Sequence, residues 1–149
     1  MLGFQAAGAA PIFHKKPVPN PETVASAIRI GNPASWELAI AAMENSGGAV
    51  DIVTDLEILE AQSWLANHEG IFVEPASAAS IAGLLNLASD KRGSGKTETP
   101  LPEIPNNAKI VCTVTGHGLK DPDVAREQCG SIIPAKAEKS EILKLIGRG

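Results

Sequence analysis

The stretch GGAVDIVTDLEILEAQSWLANHEGIFVEPASAAS, residues 47–80, runs twice through the same order of signals. Gly47-Gly48 turns the chain into a short strand over 49–53. Thr54-Asp55-Leu56-Glu57 follows as a capping box, in which the threonine and the glutamate each satisfy a free backbone amide. It predicts a helix to about residue 67 with Ile58, Ala61 and Leu65 inward, ended by Gly70. Residues 71–73 read as a second brief strand, and Glu74-Pro75 opens a helix of small residues over 76–87. Strands separated by helices imply an α/β fold with a mostly parallel sheet flanked by helices. Ligands of such sheets sit beyond the carboxyl ends of the strands, here Val53-Thr54, Val73-Glu74 and Val114-Thr115.

Upstream, Asn20-Pro21-Glu22 reads as cap, first-turn proline and first-turn acid, predicting a helix with Val24, Ala27 and Ile28 on one face. Asn32-Pro33 reads as a second start, with Trp36, Ala39, Ile40 and Met43 at helical spacing. The two would form a short hairpin broken at Gly31-Asn32-Pro33. Downstream, residues 89–107 are Gly, Ser, Lys, Thr and Pro without periodicity, which predicts a long exposed loop. A third strand is predicted over 109–114, stopping at Thr115-Gly116-His117-Gly118. An irregular stretch and a terminal helix near 140–146 close the chain.

At 149 residues the chain has the size of one domain. A net charge of −4 with no basic stripe argues against a nucleic-acid or anionic-membrane partner. No apolar run is long enough to span a bilayer, and the amino terminus lacks the pattern of a signal peptide. Cys112 and Cys129 are too few for a disulfide framework, and Cys112, inside an apolar run, reads as a small buried hydrophobe. A reducing cytoplasm is the expected location. His14, His68 and His117 have no carboxylate or cysteine at ligand spacing, so no metal site is expected.

Gly93-Ser94-Gly95-Lys96-Thr97 looks like the tail of a phosphate-binding loop, but that pattern needs a glycine where Asp90 stands. With prolines at Pro100 and Pro102, an exposed linker is the better reading. The run Glu74-Pro75-Ala76-Ser77-Ala78-Ala79-Ser80 admits two readings: small side chains that pack tightly, or a backbone against which a flat ligand lies. Thr115 faces the same choice, and His117 is either a general base or a residue that tolerates the turn. Gly116 and Gly118 let the backbone turn sharply or come close to something bound.

Four stretches in order and register resemble the threonine synthase family, pyridoxal-phosphate enzymes of fold type II (tryptophan-synthase-β-like). They are GFQAAGAAP at 3–11, AIRIGNPASW at 27–36, GIFVEPASAAS at 70–80 and TGHGLKD at 115–121. The resemblance reaches to about residue 123, and 124–149 carries no motif with a role. It implies that 1–149 is a partial large (cofactor-binding) domain, the carboxyl-terminal part of a lyase acting on a carbon–oxygen bond to phosphate. That family makes L-threonine and phosphate from O-phospho-L-homoserine and water. The resemblance implies that Thr115 hydrogen-bonds the pyridine nitrogen of pyridoxal 5'-phosphate, with Gly116, Glu74, Pro75 and Ala76 near the cofactor's edge. The family's Schiff-base lysine, ring-hydroxyl asparagine and glycine-rich phosphate loop precede the motif at 4–8, and this chain starts at Met1. No lysine here matches the Schiff-base motif, so the chain by itself is expected to be inactive. It is expected to partner the missing amino-terminal part or a second chain, a homodimer being compatible. The alternative is a non-catalytic remnant, or a domain that pairs with another chain or binds a small amino-acid-like ligand.

Overall fold

The structure, a computed structural model, describes residues 1–89, 101, 103–130 and 133–147. Its sheet has two parallel strands, β1 (Leu2–Ala6) and β2 (Ala49–Val53), paired from Leu2 opposite Ala49 to Ala6 opposite Val53. In β2 the alternation works as a two-residue period should: Ala49, Asp51 and Val53 are buried and the residues between them are half-buried. Between the strands lie the one-turn helix α1 (Pro11–His14) and α2 (Trp36–Asn45). The capping box forms as read: Thr54 Oγ1 accepts from the Glu57 amide at 3.3 Å, and Glu57 accepts from the Thr54 amide at 2.6 Å. It opens α3 (Asp55–Trp64), which widens into a π turn over Leu65–Glu69 and is stopped by left-handed Gly70.

Helix α4 (Pro75–Ala88) packs on α3 and across both strands. Its small residues make this close approach possible: Ala78, Ala79 and Ala82 are buried, and a side chain at Gly83 would collide with the Phe4 ring. Ile58 and Val53 are fully buried in the same core, and each such side chain contributes about 1.5–3 kcal/mol. Beyond the loop come a 3₁₀ turn (Gly118–Lys120), α5 (Pro122–Gln128) and α6 (Lys139–Leu145). Among the described residues no helix is long and apolar enough to cross a membrane.

Several expected elements change. The helix predicted after Asn20-Pro21-Glu22 is absent, and the hairpin with it; only a 3₁₀ turn, Ser26–Ile28, forms. Its would-be first-turn amides have other partners: Glu22 donates to the Gly8 carbonyl, Val24 to Asp55, and Ala25 to the Thr23 hydroxyl. Thr23 itself donates to Asp55. In a helix capped at Asn20 the Val24 and Ala25 amides would donate to the Asn20 and Pro21 carbonyls; spent on Asp55 and the Thr23 hydroxyl, they cannot build that ladder. Helix α2 starts at Trp36, after the Asn32-Pro33 signal. The brief strand at 71–73 reduces to an antiparallel bridge between Val73 and His117. The predicted strand over 109–114 is irregular and lacks a ladder partner among the described residues. Sequence reading missed β1 and also α5, which falls in the supposedly irregular stretch. Of the expected loop at 89–107, residues 90–100 and 102, including Gly93-Ser94-Gly95-Lys96-Thr97, lie outside the described residues.

Candidate functional site

The site is a knot where the chain entering α4 meets the segment that follows residue 114. Around the Val73–His117 bridge, the Gly118 amide donates to the Phe72 carbonyl at 3.2 Å, and the Glu74 amide to the Gly116 carbonyl at 3.0 Å. The Gly116 amide donates to Ser77 Oγ at 2.8 Å. Ser77 is buried in the first turn of α4, so its hydroxyl has no competing water and holds Gly116 against the helix. Lys120 then reaches back 46 residues, placing Nζ 3.1 Å and 3.0 Å from the two carboxylate oxygens of Glu74. Glu74 is 3% exposed, so this carboxylate is compensated in the interior by one cation.

The two glycines around His117 make room for the protein's own side chains. A Cβ on Gly116 would overlap the Glu74 carboxylate, and one on Gly118 would overlap the Phe72 ring. His117 caps the turn between them, its Nδ1 accepting from the Leu119 amide at 3.1 Å, with its ring edge-on to Phe72.

All five residues singled out from sequence meet in this knot, with different exposure. Gly116, Glu74 and Pro75 are buried, and Ala76 is half-buried. Thr115 is exposed, and its hydroxyl makes no hydrogen bond to the described residues. It is therefore the one of the five that presents a free polar group outward. Sequence reading missed the supporting roles of Ser77, Lys120, Gln62 and Gln128. Gln62 donates to the Val73 carbonyl at 2.7 Å and accepts from Gln128 at 2.6 Å, which ties α5 to the knot through α3. Gln62 could have been noticed, because it interrupts the inward face of Ile58, Ala61 and Leu65 with a polar residue.

Elsewhere, a cleft of about 790 Å³ is lined by Phe72, Leu119 and α5 residues including Pro122, Ala125 and Arg126. It touches none of the five. Cys112 is half-buried, not fully buried as expected, and burial pushes its thiol pKa up; Cys129 is exposed. Burial in β2 raises the Asp51 carboxyl above its ordinary value, with Glu57 adding to the shift and the Ile52 amide opposing it. Among the described residues no group of His, Cys, Asp and Glu is arranged to hold a metal ion.

Comparison with known proteins adds the chemistry. The threonine synthase of Synechocystis sp. is 47% identical over 149 residues, covering 99% of this chain and 36% of its own length. That of Mycobacterium bovis is 47% identical over 150 residues, 99% of this chain and 38% of its own. That of Methanocaldococcus jannaschii is 51% identical over 133 residues, 84% and 30%. The chain thus spans well under half the length of these relatives. Among solved structures, a threonine deaminase from T.th. overlays 59% of this chain and 34% of its own, at TM-score 0.48 and 20% identity. The profile of one family, described as pyridoxal-phosphate dependent enzyme, matches residues 1–116, which is most of the chain and takes in both halves of the knot as far as Gly116. The chain belongs to the pyridoxal-phosphate dependent enzyme family.

Proposed function

We propose that this chain is the carboxyl-terminal part of the large domain of a cytoplasmic threonine synthase, which turns O-phospho-L-homoserine and water into L-threonine and phosphate. The observation that carries the reading is Thr115: an exposed hydroxyl, free of partners among the described residues, on a backbone pinned at the next residue to Glu74 and Ser77. The relatives named threonine synthase support it.

The donor set suits pyridoxal phosphate. Thr115 offers a neutral hydroxyl that can donate to a pyridine nitrogen. A carboxylate in that place would favour the protonated ring, and the knot's carboxylate, Glu74, is paired with Lys120. Gly116, Glu74, Pro75 and Ala76 form the wall behind Thr115 and fix its direction. When bound, the cofactor supplies the electron sink that lets protons leave Cα and Cβ of the substrate before phosphate departs.

The rest of the enzyme is the partner of this chain in the proposal. Its contact surface includes residues 109–114, where Ile110, Val111 and Val114 are 49%, 91% and 38% exposed. These apolar side chains suit a strand that completes its ladder against sheet residues outside this chain.

The test uses the complete enzyme containing this chain, with Thr115→Val and Thr115→Ser. Valine keeps the shape and leaves a ring nitrogen unpaired, costing ~1–3 kcal/mol, so the cofactor Kd should rise roughly 5- to 150-fold while the fold is kept. Serine should lie near the parent. Unchanged cofactor affinity in Thr115→Val removes Thr115 from the site. A parent enzyme that releases no phosphate from O-phospho-L-homoserine refutes the threonine synthase reading.

A further inference from the structure

The Glu74–Lys120 pair differs from an ordinary surface ion pair. Exposed pairs contribute little, because water competes for both ends. Here the Lys120 side chain is 60% exposed, but that of Glu74 is 4% exposed, and Nζ lies 3.0 and 3.1 Å from its two oxygens. Behind Glu74 there is no slack, since its carboxylate occupies the space that a side chain on Gly116 would need. The backbone of Glu74 also donates to the Gly116 carbonyl. Lys120 thereby closes a loop. The segment from Thr115 through the 3₁₀ turn is anchored at its start by Glu74 and Ser77, and at its end by the same Glu74. The next residue, Asp121, accepts from Ser26 Oγ at 2.8 Å, which fixes the turn from the far side.

We propose that Lys120 and Glu74 are positioning residues: their ion pair sets where Gly116 sits, and so the direction in which Thr115 presents its hydroxyl to the cofactor ring. The inference rests on the role given to Thr115 above. Neither residue need touch the cofactor. Lys120 acts through Glu74, and Glu74 acts through its contact with Gly116. A misplacement of ~1 Å can cost ~100-fold in rate, and a hydrogen bond bent or stretched out of range is lost to binding.

A double-mutant cycle on the complete enzyme separates positioning from general stability. Lys120→Met keeps the length of the side chain and removes the charge. In the Thr115 protein it should raise the pyridoxal phosphate Kd roughly tenfold, as loss of one hydrogen bond would, and Lys120→Arg should restore most of that loss. In the Thr115→Val background Lys120→Met should change the Kd by less than about twofold, because the hydroxyl it positions is gone. Equal fold-changes in the two backgrounds, or none in the first, overturn the proposal. If Lys120→Met does not fold, Lys120→Gln takes its place with the same expectations.

Hydrogen exchange on the cofactor-free enzyme reads the clamp without activity or ligand. The Gly116 amide should exchange about tenfold faster or more in Lys120→Met, with core amides of α3 unchanged. Unaltered protection at Gly116 overturns the clamp. Altered protection, combined with a Thr115→Val variant that binds cofactor normally, instead refutes the placing of Thr115 and limits the pair to ordering the turn.

Discussion

Gly116→Ala is the sharpest test of the knot. The added methyl would overlap Oε1, Cδ and Cγ of Glu74. Since these are side-chain atoms, Glu74 could in principle swing aside. Doing so breaks both contacts with Lys120, at 3.0 and 3.1 Å, and moves a carboxylate that is 3% exposed into packed surroundings. Separating a buried ion pair costs ~3–5 kcal/mol. Lys120 stays solvated and lowers that figure, so about 2–3 kcal/mol is expected. Moving the backbone instead sacrifices the bonds to the Glu74 amide and Ser77, each ~1 kcal/mol, and arrives at a similar total. In a complete enzyme more than twice as long as this chain the shift is roughly 1–2 °C per kcal/mol, so Gly116→Ala should lower Tm by about 2–6 °C. Differential scanning calorimetry of the complete, cofactor-free enzyme measures it. Adding Glu74→Ala removes the overlap and the buried charge together, so the double variant should lose less than the sum of the two single changes, by about 1–2 kcal/mol. A Gly116→Ala protein melting within ~1 °C of the parent, or strict additivity with Glu74→Ala, would refute the reasoning.

Three further outcomes are expected. Asp51 has its carboxyl pKa raised by burial above 3.8. The folded state therefore holds the proton more tightly than the unfolded one, and the stability from Asp51 is complete below pH 3.8 and lost as pH rises through the folded value. Asp51→Asn keeps an acceptor for the Ile52 amide, so it should raise Tm at neutral pH and lose that advantage in acid; no gain at neutral pH would count against the assignment. The 149 residues produced alone should self-associate through Val111, Leu119 and Ile110, which are 91%, 71% and 49% exposed. They should also fail to retain pyridoxal phosphate covalently after borohydride reduction; a monodisperse monomer labelled at one lysine would overturn both expectations.

Local signals in the sequence were sufficient where the deciding partners lie a few residues apart. The Thr54–Glu57 capping box, the Gly70 stop, the short strand after Gly47-Gly48 and the small-residue helix after Glu74-Pro75 all form as read. Each depends on one turn of backbone or one strand face, and the strand–helix order they create was enough for the α/β class. The motif at 115–121 was likewise legible as an abrupt stop to an apolar run, because two glycines flank His117 there. What the glycines are for was decided only by tertiary structure. Gly116 makes room for the carboxylate of Glu74, far earlier in the chain, and Gly118 for the Phe72 ring. The failed helix after Asn20 has the same cause, since its capping signal was sound but Asp55, from a distant part of the chain, takes the Val24 amide that the first helical turn needs. A predicted strand such as 109–114 depends most on what lies beside it. Its backbone groups gain only when a neighbour pairs with them, and β-branched side chains can favour an extended chain without supplying that neighbour.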